Sequence, residues 1–109
     1  MIYITVPDMN DSIGRIELYG RQYFIRFTYN SHGEYWNFGF YDSKMNPLLP
    51  MTRVVENCEL TGYYTYTDFP DGMFGALSSD PIRRDSFKNG SAKFVFLDHD
   101  DLEESGYYG

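Results

Sequence analysis

The sequence has few residues that bind metals or form disulfides. Cys58 is the only cysteine among 109 residues, so no disulfide can form within the chain. A structural zinc site takes four ligands, mainly cysteine and histidine, and the only histidines are His32 and His99. His99 lies among aspartates, but that segment lacks the glycine turn and alternating ligands of a calcium loop and is more typical of a solvated acidic tail. We therefore predict no metal site and no cofactor.

The motifs of common enzymes are also missing. The chain contains no Gly-x-Ser-x-Gly elbow and no glycine-rich phosphate loop that ends in Lys-Ser or Lys-Thr. Cys58 has acidic neighbours, which do not favour a reactive thiolate. The sequence therefore predicts no catalytic residues, and we do not expect an enzyme.

Positive charge is scarce. Nine lysine and arginine residues stand against 16 aspartate and glutamate residues, which gives a formal net charge of -7. Binding to nucleic-acid phosphates or to anionic lipids requires clustered positive charge. The start of the chain does not resemble a secretory signal, and no apolar run approaches the ~20 residues of a membrane-spanning helix. We predict no nucleic-acid binding through basic patches, no membrane contact and synthesis in the cytoplasm.

Aromatic residues are abundant, at 19% of the chain, with 11 tyrosines, 9 phenylalanines and 1 tryptophan. Such residues favour β-strands, because their rings fill the half-buried surface of a pleated sheet. No segment shows a helical period over three turns, and turn signals recur about every 8–12 residues. The pattern predicts an all-β fold, a single small antiparallel barrel or sandwich with meander hairpins.

The first half of the chain predicts a three-stranded meander. Residues 15–18 and 23–29 alternate apolar and polar side chains around a turn at Tyr19-Gly20. After a second turn, residues 35–41 place Trp36 on an apolar face, where we expect it to be buried.

The second half is less regular. Pro47 and Pro50 exclude a central strand there, and residues 51–55 are a candidate short strand. Residues 73–77 and 92–97 are predicted strands, and Asn89-Gly90 predicts a type I′ hairpin turn before the second of them. We predict one β domain over residues 1–97 and an acidic, flexible tail over residues 98–109.

The aromatic surplus suggests surfaces that other proteins cover, since tyrosine is a typical interface residue. Residues 92–97 are apolar on both strand faces, so either a partner or the chain itself covers the second face. Two neighbouring arginines could contact an acidic partner or pair locally with Asp80 and Asp85. The candidate partner contacts are Tyr63, Tyr64, Tyr66, Phe74, Arg83, Arg84, Val95 and Leu97.

The order of turns and aromatic strands carries a resemblance. Its elements here are Arg26-Phe27-Thr28-Tyr29-Asn30, Tyr35-Trp36-Asn37-Phe38, Asp42, Pro47, Gly62-Tyr63, Phe69-Pro70-Asp71-Gly72, Leu77, Asp80-Pro81 and Phe94-Val95-Phe96. In this order they resemble the phage baseplate plug protein family, small proteins of contractile-tailed phages. The similarity covers residues 13–97 and includes no catalytic motif.

The resemblance implies a structural virion protein, a plug at the junction of baseplate hub and tail tube. It implies partners among tail and baseplate proteins (hub, spike or tail tube), a place in the virion and synthesis in the host bacterium. The surplus of aromatic surface, in addition, predicts a homo-oligomer. The alternative from composition alone is a small β-barrel binding module whose aromatic surface takes a nucleic acid or a small ligand. The net charge of -7 opposes the nucleic-acid version.

Overall fold

The computed structural model describes residues 1–57 and 72–98, which form seven β-strands. The strands are β1 (Ile2–Ile4), β2 (Asp11–Leu18), β3 (Arg21–Asn30), β4 (Tyr35–Asp42), β5 (Pro47–Arg53), β6 (Gly72–Ser78) and β7 (Ala92–Asp98). They form a three-stranded sheet in the order β1-β7-β6 and a four-stranded sheet in the order β2-β3-β4-β5, both antiparallel. The described residues contain no helix. The all-β prediction is confirmed, in the form of a sandwich.

The four-stranded sheet is the predicted meander extended by one strand. β2 and β3 pair over their whole length around Tyr19 and Gly20, whose φ angles of 54° and 76° are both positive. Positive φ at both central residues defines the type I′ turn, whose twist matches that of the flanking strands. The sequence prediction of this hairpin is confirmed.

β5 lies at the edge of the four-stranded sheet and begins at Pro47, earlier than the sequence predicts. Proline has no backbone N–H and so cannot donate a hydrogen bond to a neighbouring strand. An edge strand tolerates it, because only one of its two sides is paired. The pairing of β5 with β4 is irregular, with register shifts on either side of Phe40. The expectation that this proline segment is not a central strand is therefore confirmed.

The predicted type I′ hairpin at Asn89-Gly90 is wrong. β6 and β7 do pair, but residues 79–91 connect them, and only Gly90 of the two turn residues has a positive φ, 84°. The amide of Asn89 donates to the carbonyl oxygen of Asp85 at 2.9 Å, and the amide of Ala92 donates to that of Ser86 at 3.0 Å. Asn89-Gly90 thus ends a long connection instead of joining two strands.

The core between the sheets is mostly aromatic. The ring centroid of Phe38 lies 5.4 Å from that of Phe74, in a tilted arrangement, and 5.0 Å from that of Phe94, edge to face. These contacts join the two sheets across the sandwich. Trp36 is buried as predicted, and its Nε1 donates a hydrogen bond to the carbonyl oxygen of Arg83 at 3.3 Å. The fully buried large side chains are Leu18, Phe27, Trp36, Phe38, Phe40, Leu49, Phe74, Phe94, Val95 and Phe96.

Candidate partner-binding surface

The three tyrosines predicted as contacts, Tyr63, Tyr64 and Tyr66, lie outside the described residues, and so does the predicted tail beyond Asp98. Their roles stay predictions. The other five candidates lie on β6, on β7 and in the connection between them.

Phe74 is fully buried, so it offers no side-chain surface to a partner of the folded chain. It lies on the core face of β6 and its ring is 4.9 Å from that of Phe40 and 5.1 Å from that of Phe96. The interpretation as a contact residue needs correction, because the alternation of β6 directs Phe74 between the two sheets.

Val95 is also fully buried, although it lies on the face of β7 opposite the core residues Phe94 and Phe96. The isolated chain therefore already covers this position, and the alternative in which a partner buries Val95 is wrong. Met73 on the same face of β6 is buried too, whereas Leu97 is half-buried and Lys93 is exposed. Of the two predicted contacts on β7, only Leu97 has surface available.

Arg84 attaches the β6–β7 connection to the segment between β1 and β2. Its guanidinium donates to Asn10 Oδ1 at 2.7 Å and to Asp8 Oδ1 at 3.1 Å. Asp85 Oδ1 lies 3.8 Å away, and the guanidinium carbon lies 5.1 Å from the ring centroid of Trp36. The guanidinium of Arg84 thus mainly contacts residues of its own chain. Hydrogen bonds from Lys88 and Arg84 lower the pKa of Asp8 below its usual 3.8.

Arg83 is exposed, and its backbone is anchored. Its amide donates to Ser86 Oγ at 2.7 Å, and its carbonyl accepts the bond from Trp36. A fixed backbone under an exposed guanidinium suits a contact residue, and the role of Arg83 stays a prediction.

The two long sides of the sandwich differ. On the side where β5 and β6 are outermost, the chain directly after β5 closes the gap: Glu56 forms an isolated parallel bridge with Ala76 of β6. The Asn57 amide donates to the Ala76 carbonyl oxygen at 2.7 Å. The Asn57 side chain donates to the Ser78 carbonyl oxygen at 2.5 Å and accepts from the Ser78 amide at 3.2 Å. We call this the closed side.

On the opposite side, β1 and β2 are the outermost strands of the two sheets, and the described residues contain no strand that bridges them. A groove of about 350 Å³ lies between them and reaches Ile25 and Phe27 of β3. Residues of both edge strands line it, namely Ile2, Tyr3, Ile4, Ser12, Gly14, Arg15, Ile16, Glu17 and Leu18. We call this the open side.

Two residues of β2 show that residues 1–57 and 72–98 do not fill the groove. The Oγ atom of Ser12 is buried and has no hydrogen-bond partner in the described part of the structure. Gly14 faces the same way as Ser12, since both pair with core residues of β3, and a Cβ at Gly14 would meet no atom within 4 Å. A buried hydroxyl without a partner is costly, because it loses its bonds to water.

Exposed apolar side chains concentrate in the first part of the chain, which contains β1 and β2. Six of the ten exposed large hydrophobic residues in the described chain lie within residues 1–19. They are Met1, Ile2, Tyr3, Met9, Ile13 and Tyr19, with Tyr3 65% and Ile13 54% exposed. Ile2 and Tyr3 line the groove itself, and exposed apolar side chains at such a gap mark a candidate interaction site.

Sequence reasoning missed the open side, because it begins the hairpin at Arg15 and so leaves out the first half of β2. The available signal was the inward series Ser12, Gly14, Ile16 and Leu18, in which a glycine interrupts an alternating strand. A glycine inside a strand often marks a place where another backbone approaches closely.

The outer face of the four-stranded sheet carries arginines beside aromatic rings. The guanidinium of Arg53 lies 4.6 Å from the ring centroid of Tyr35, and that of Arg15 lies 5.8 Å from Phe24. Arg26 binds Asp11 through two hydrogen bonds of 2.9 and 2.7 Å, and they lower the pKa of Asp11. Arg15 and Arg53 thus present guanidinium groups on this face, in a chain with a net charge of -7.

Other kinds of site have no support in residues 1–57 and 72–98. No group of three or more histidine, cysteine, aspartate or glutamate side chains there could hold a metal ion. The same residues include no helix with the length and apolar character needed to cross a membrane.

A family model described as Cyanophage baseplate Pam3 plug gp18 matches residues 1–101. The chain belongs to this baseplate plug family. The match covers every residue of the sandwich and extends past the region of the sequence resemblance, so the predicted family is confirmed. No curated protein matches the chain.

Membership of the plug family indicates a structural protein of the phage tail baseplate. A structural baseplate component works through contacts with neighbouring baseplate proteins. For a plug, the open side and the arginine face of the four-stranded sheet are therefore the surfaces of most interest.

Proposed function

We propose that this plug-family protein lies at the junction of the baseplate hub and the tail tube of a contractile phage, and that it acts by protein–protein contacts and not by catalysis. The family match over residues 1–101 carries the proposal. Support comes from the exposed apolar surface at the open side, which a soluble protein would cover in its assembled state.

The experiment combines the purified chain with the purified hub, spike and tail-tube proteins of the same phage. We expect a stoichiometric complex with the hub or the tail-tube protein on size exclusion with light scattering. Phages that lack the protein should have incomplete baseplates in electron micrographs. Normal tails without the protein, and no complex with any of the three proteins, would contradict the proposal.

The proposal includes self-association in the assembled baseplate. The arginines of the outer face are complementary to the acidic remainder of a second copy, since the whole chain has a net charge of -7. Such a contact uses different patches on the two copies, and contacts of that kind generate rings when the rotation closes. Arg53→Ala should weaken self-association, and higher salt should weaken it as well.

Nucleic-acid binding should be absent at physiological salt, because the charge of the chain repels phosphate. Fluorescence anisotropy with labelled single-stranded DNA tests this expectation. Micromolar affinity with a steep salt dependence would favour the alternative, a nucleic-acid binding module.

A further inference from the structure

We propose that the open side is an acceptor site for a β-strand: an extended segment of another baseplate protein inserts beside β2 and closes the sandwich. The inference rests on the proposed function, because it names how one partner is held. It follows from the backbone edges, the space, the charge and the exposed surface at the open side.

The edge of β2 provides the hydrogen bonds. Its eight residues pair with β3 along one edge, and no strand lies on its other edge in the described chain. The backbone N–H and C=O groups on such an edge accept an added strand, which is a common mode of peptide recognition. At ~3.3 Å per residue the edge is about 26 Å long, enough for a segment of six or more residues.

The interior of the groove has space for an inserted segment and contains a hydroxyl that such a segment could bond to. The missing side chain at Gly14 leaves the middle of β2 open to a second backbone, and beside it the buried Ser12 Oγ has no partner among the described residues. An inserted segment that bonds to this hydroxyl would remove the cost of its burial. At the closed side the chain itself makes the equivalent contact, because Asn57 forms hydrogen bonds to β6.

The groove has no net charge among its lining residues, so we expect a neutral segment to bind there. Its walls include the apolar residues Ile4, Ile16 and Leu18, and its charged lining residues, Arg15 and Glu17, have opposite signs. A phosphate chain or an acidic segment finds no excess of positive charge there. The groove therefore fits a neutral segment with apolar side chains at alternate positions, which would pack on the core below.

The donor is a different protein and not a second copy. Unlike the arginine face, the groove has no excess of positive charge, so it does not attract the acidic surface of a second copy. Every strand of the described chain already pairs within its own sheet, so donating one would open the donor's own sandwich.

The test fills the groove without disturbing the fold. Gly14→Leu places a side chain into empty space at a residue without unusual φ, and leucine fits a strand better than glycine does. Ser43→Leu adds the same side chain in the exposed turn after β4 and is the matched control. Both full-length variants are titrated against the purified hub, spike and tail-tube proteins of the same phage, with circular dichroism to confirm folding.

We expect Gly14→Leu to weaken binding of one of these proteins at least tenfold and Ser43→Leu to leave it unchanged. In the wild-type complex, hydrogen exchange should slow at the backbone amides of β2, a result independent of any variant. Equal binding by Gly14→Leu, or unchanged exchange at β2, overturns the acceptor site and leaves the proposed function standing. Binding to none of the three proteins overturns both. Self-association that Gly14→Leu abolishes overturns the choice of a different protein as donor.

Discussion

The closed and open sides of this sandwich differ in how the gap between the two sheets is filled. Each is a gap between the outermost strands of two sheets. At the closed side, the chain itself supplies Glu56 and Asn57, and backbone and side-chain bonds join the sheets. At the open side, a groove remains, with Ser12 Oγ unpaired within the described residues and apolar side chains exposed. The difference shows one gap that the chain joins by its own hydrogen bonds and one that the described residues leave unjoined, which is the basis for the proposed acceptor site.

The largest effect is expected from the core that both sides share. Trp36→Ala should lower the free energy of unfolding by about 3–5 kcal/mol, as truncation of a buried aromatic residue does. Urea denaturation followed by circular dichroism measures the change. Tyr35→Ala, on the outer face of the same strand, is the control and should cost clearly less. A similar loss for both variants would mean that the core does not dominate the stability of the two sides.

A smaller effect is expected at the closed side. Asn57→Gly keeps the positive φ of 56° accessible but removes both side-chain hydrogen bonds to Ser78. We expect a loss of about 1–2 kcal/mol in the free energy of unfolding. Asn57→Ala should lose more, because alanine disfavours that backbone conformation. If Asn57→Gly unfolds at the wild-type urea concentration, the closed side is not held by this residue.

At the open side, the corresponding variant should act in the opposite direction. Ser12→Ala removes a buried hydroxyl that has no partner in the described structure, so the isolated chain should gain up to about 1 kcal/mol. Ser86→Ala is the contrasting control, because Ser86 Oγ accepts a hydrogen bond from the Arg83 amide and its loss should destabilise. A destabilised Ser12→Ala variant would show that this hydroxyl is satisfied in solution.

The smallest expected effect is a difference between the two sides in how stability depends on pH. The folded chain lowers the pKa of Asp8 through Lys88 and Arg84, and that of Asp11 through Arg26. Because these pKa values lie below their unfolded value of about 3.9, the stabilisation is complete above that pH and is lost as the pH falls through the folded values.

Thermal unfolding between pH 6 and pH 2 measures this loss. Asp8→Asn should flatten the decline, whereas Asn57→Gly should leave its slope unchanged, since the closed-side bonds of Asn57 involve no ionisable group. Equal slopes for wild type and Asp8→Asn would remove this distinction.

The sequence predicted the regular part of the fold and missed the open side. Alternation in β3 and β4 identified the core face, including Trp36, because a half-buried antiparallel strand has a two-residue period. The pairing of β1 with β7 and the bridge from Glu56 to β6 are contacts between distant residues, and no local pattern encodes them. Phe74 and Val95 were mistaken for contacts for the same reason: both faces of a strand can be covered by other parts of the chain.

The position of Trp36 gives the protein an intrinsic optical reporter. It is the only tryptophan, and its indole is bonded to the Arg83 backbone and lies beside the guanidinium of Arg84 and the ring of Phe87. All three neighbours belong to the connection between β6 and β7, so its emission spectrum responds to any displacement of that connection. Arg84 also contacts Asp8 at the end of the open side. Tryptophan fluorescence of the unlabelled protein can therefore report, in real time, whether binding at the open side displaces the connection between β6 and β7.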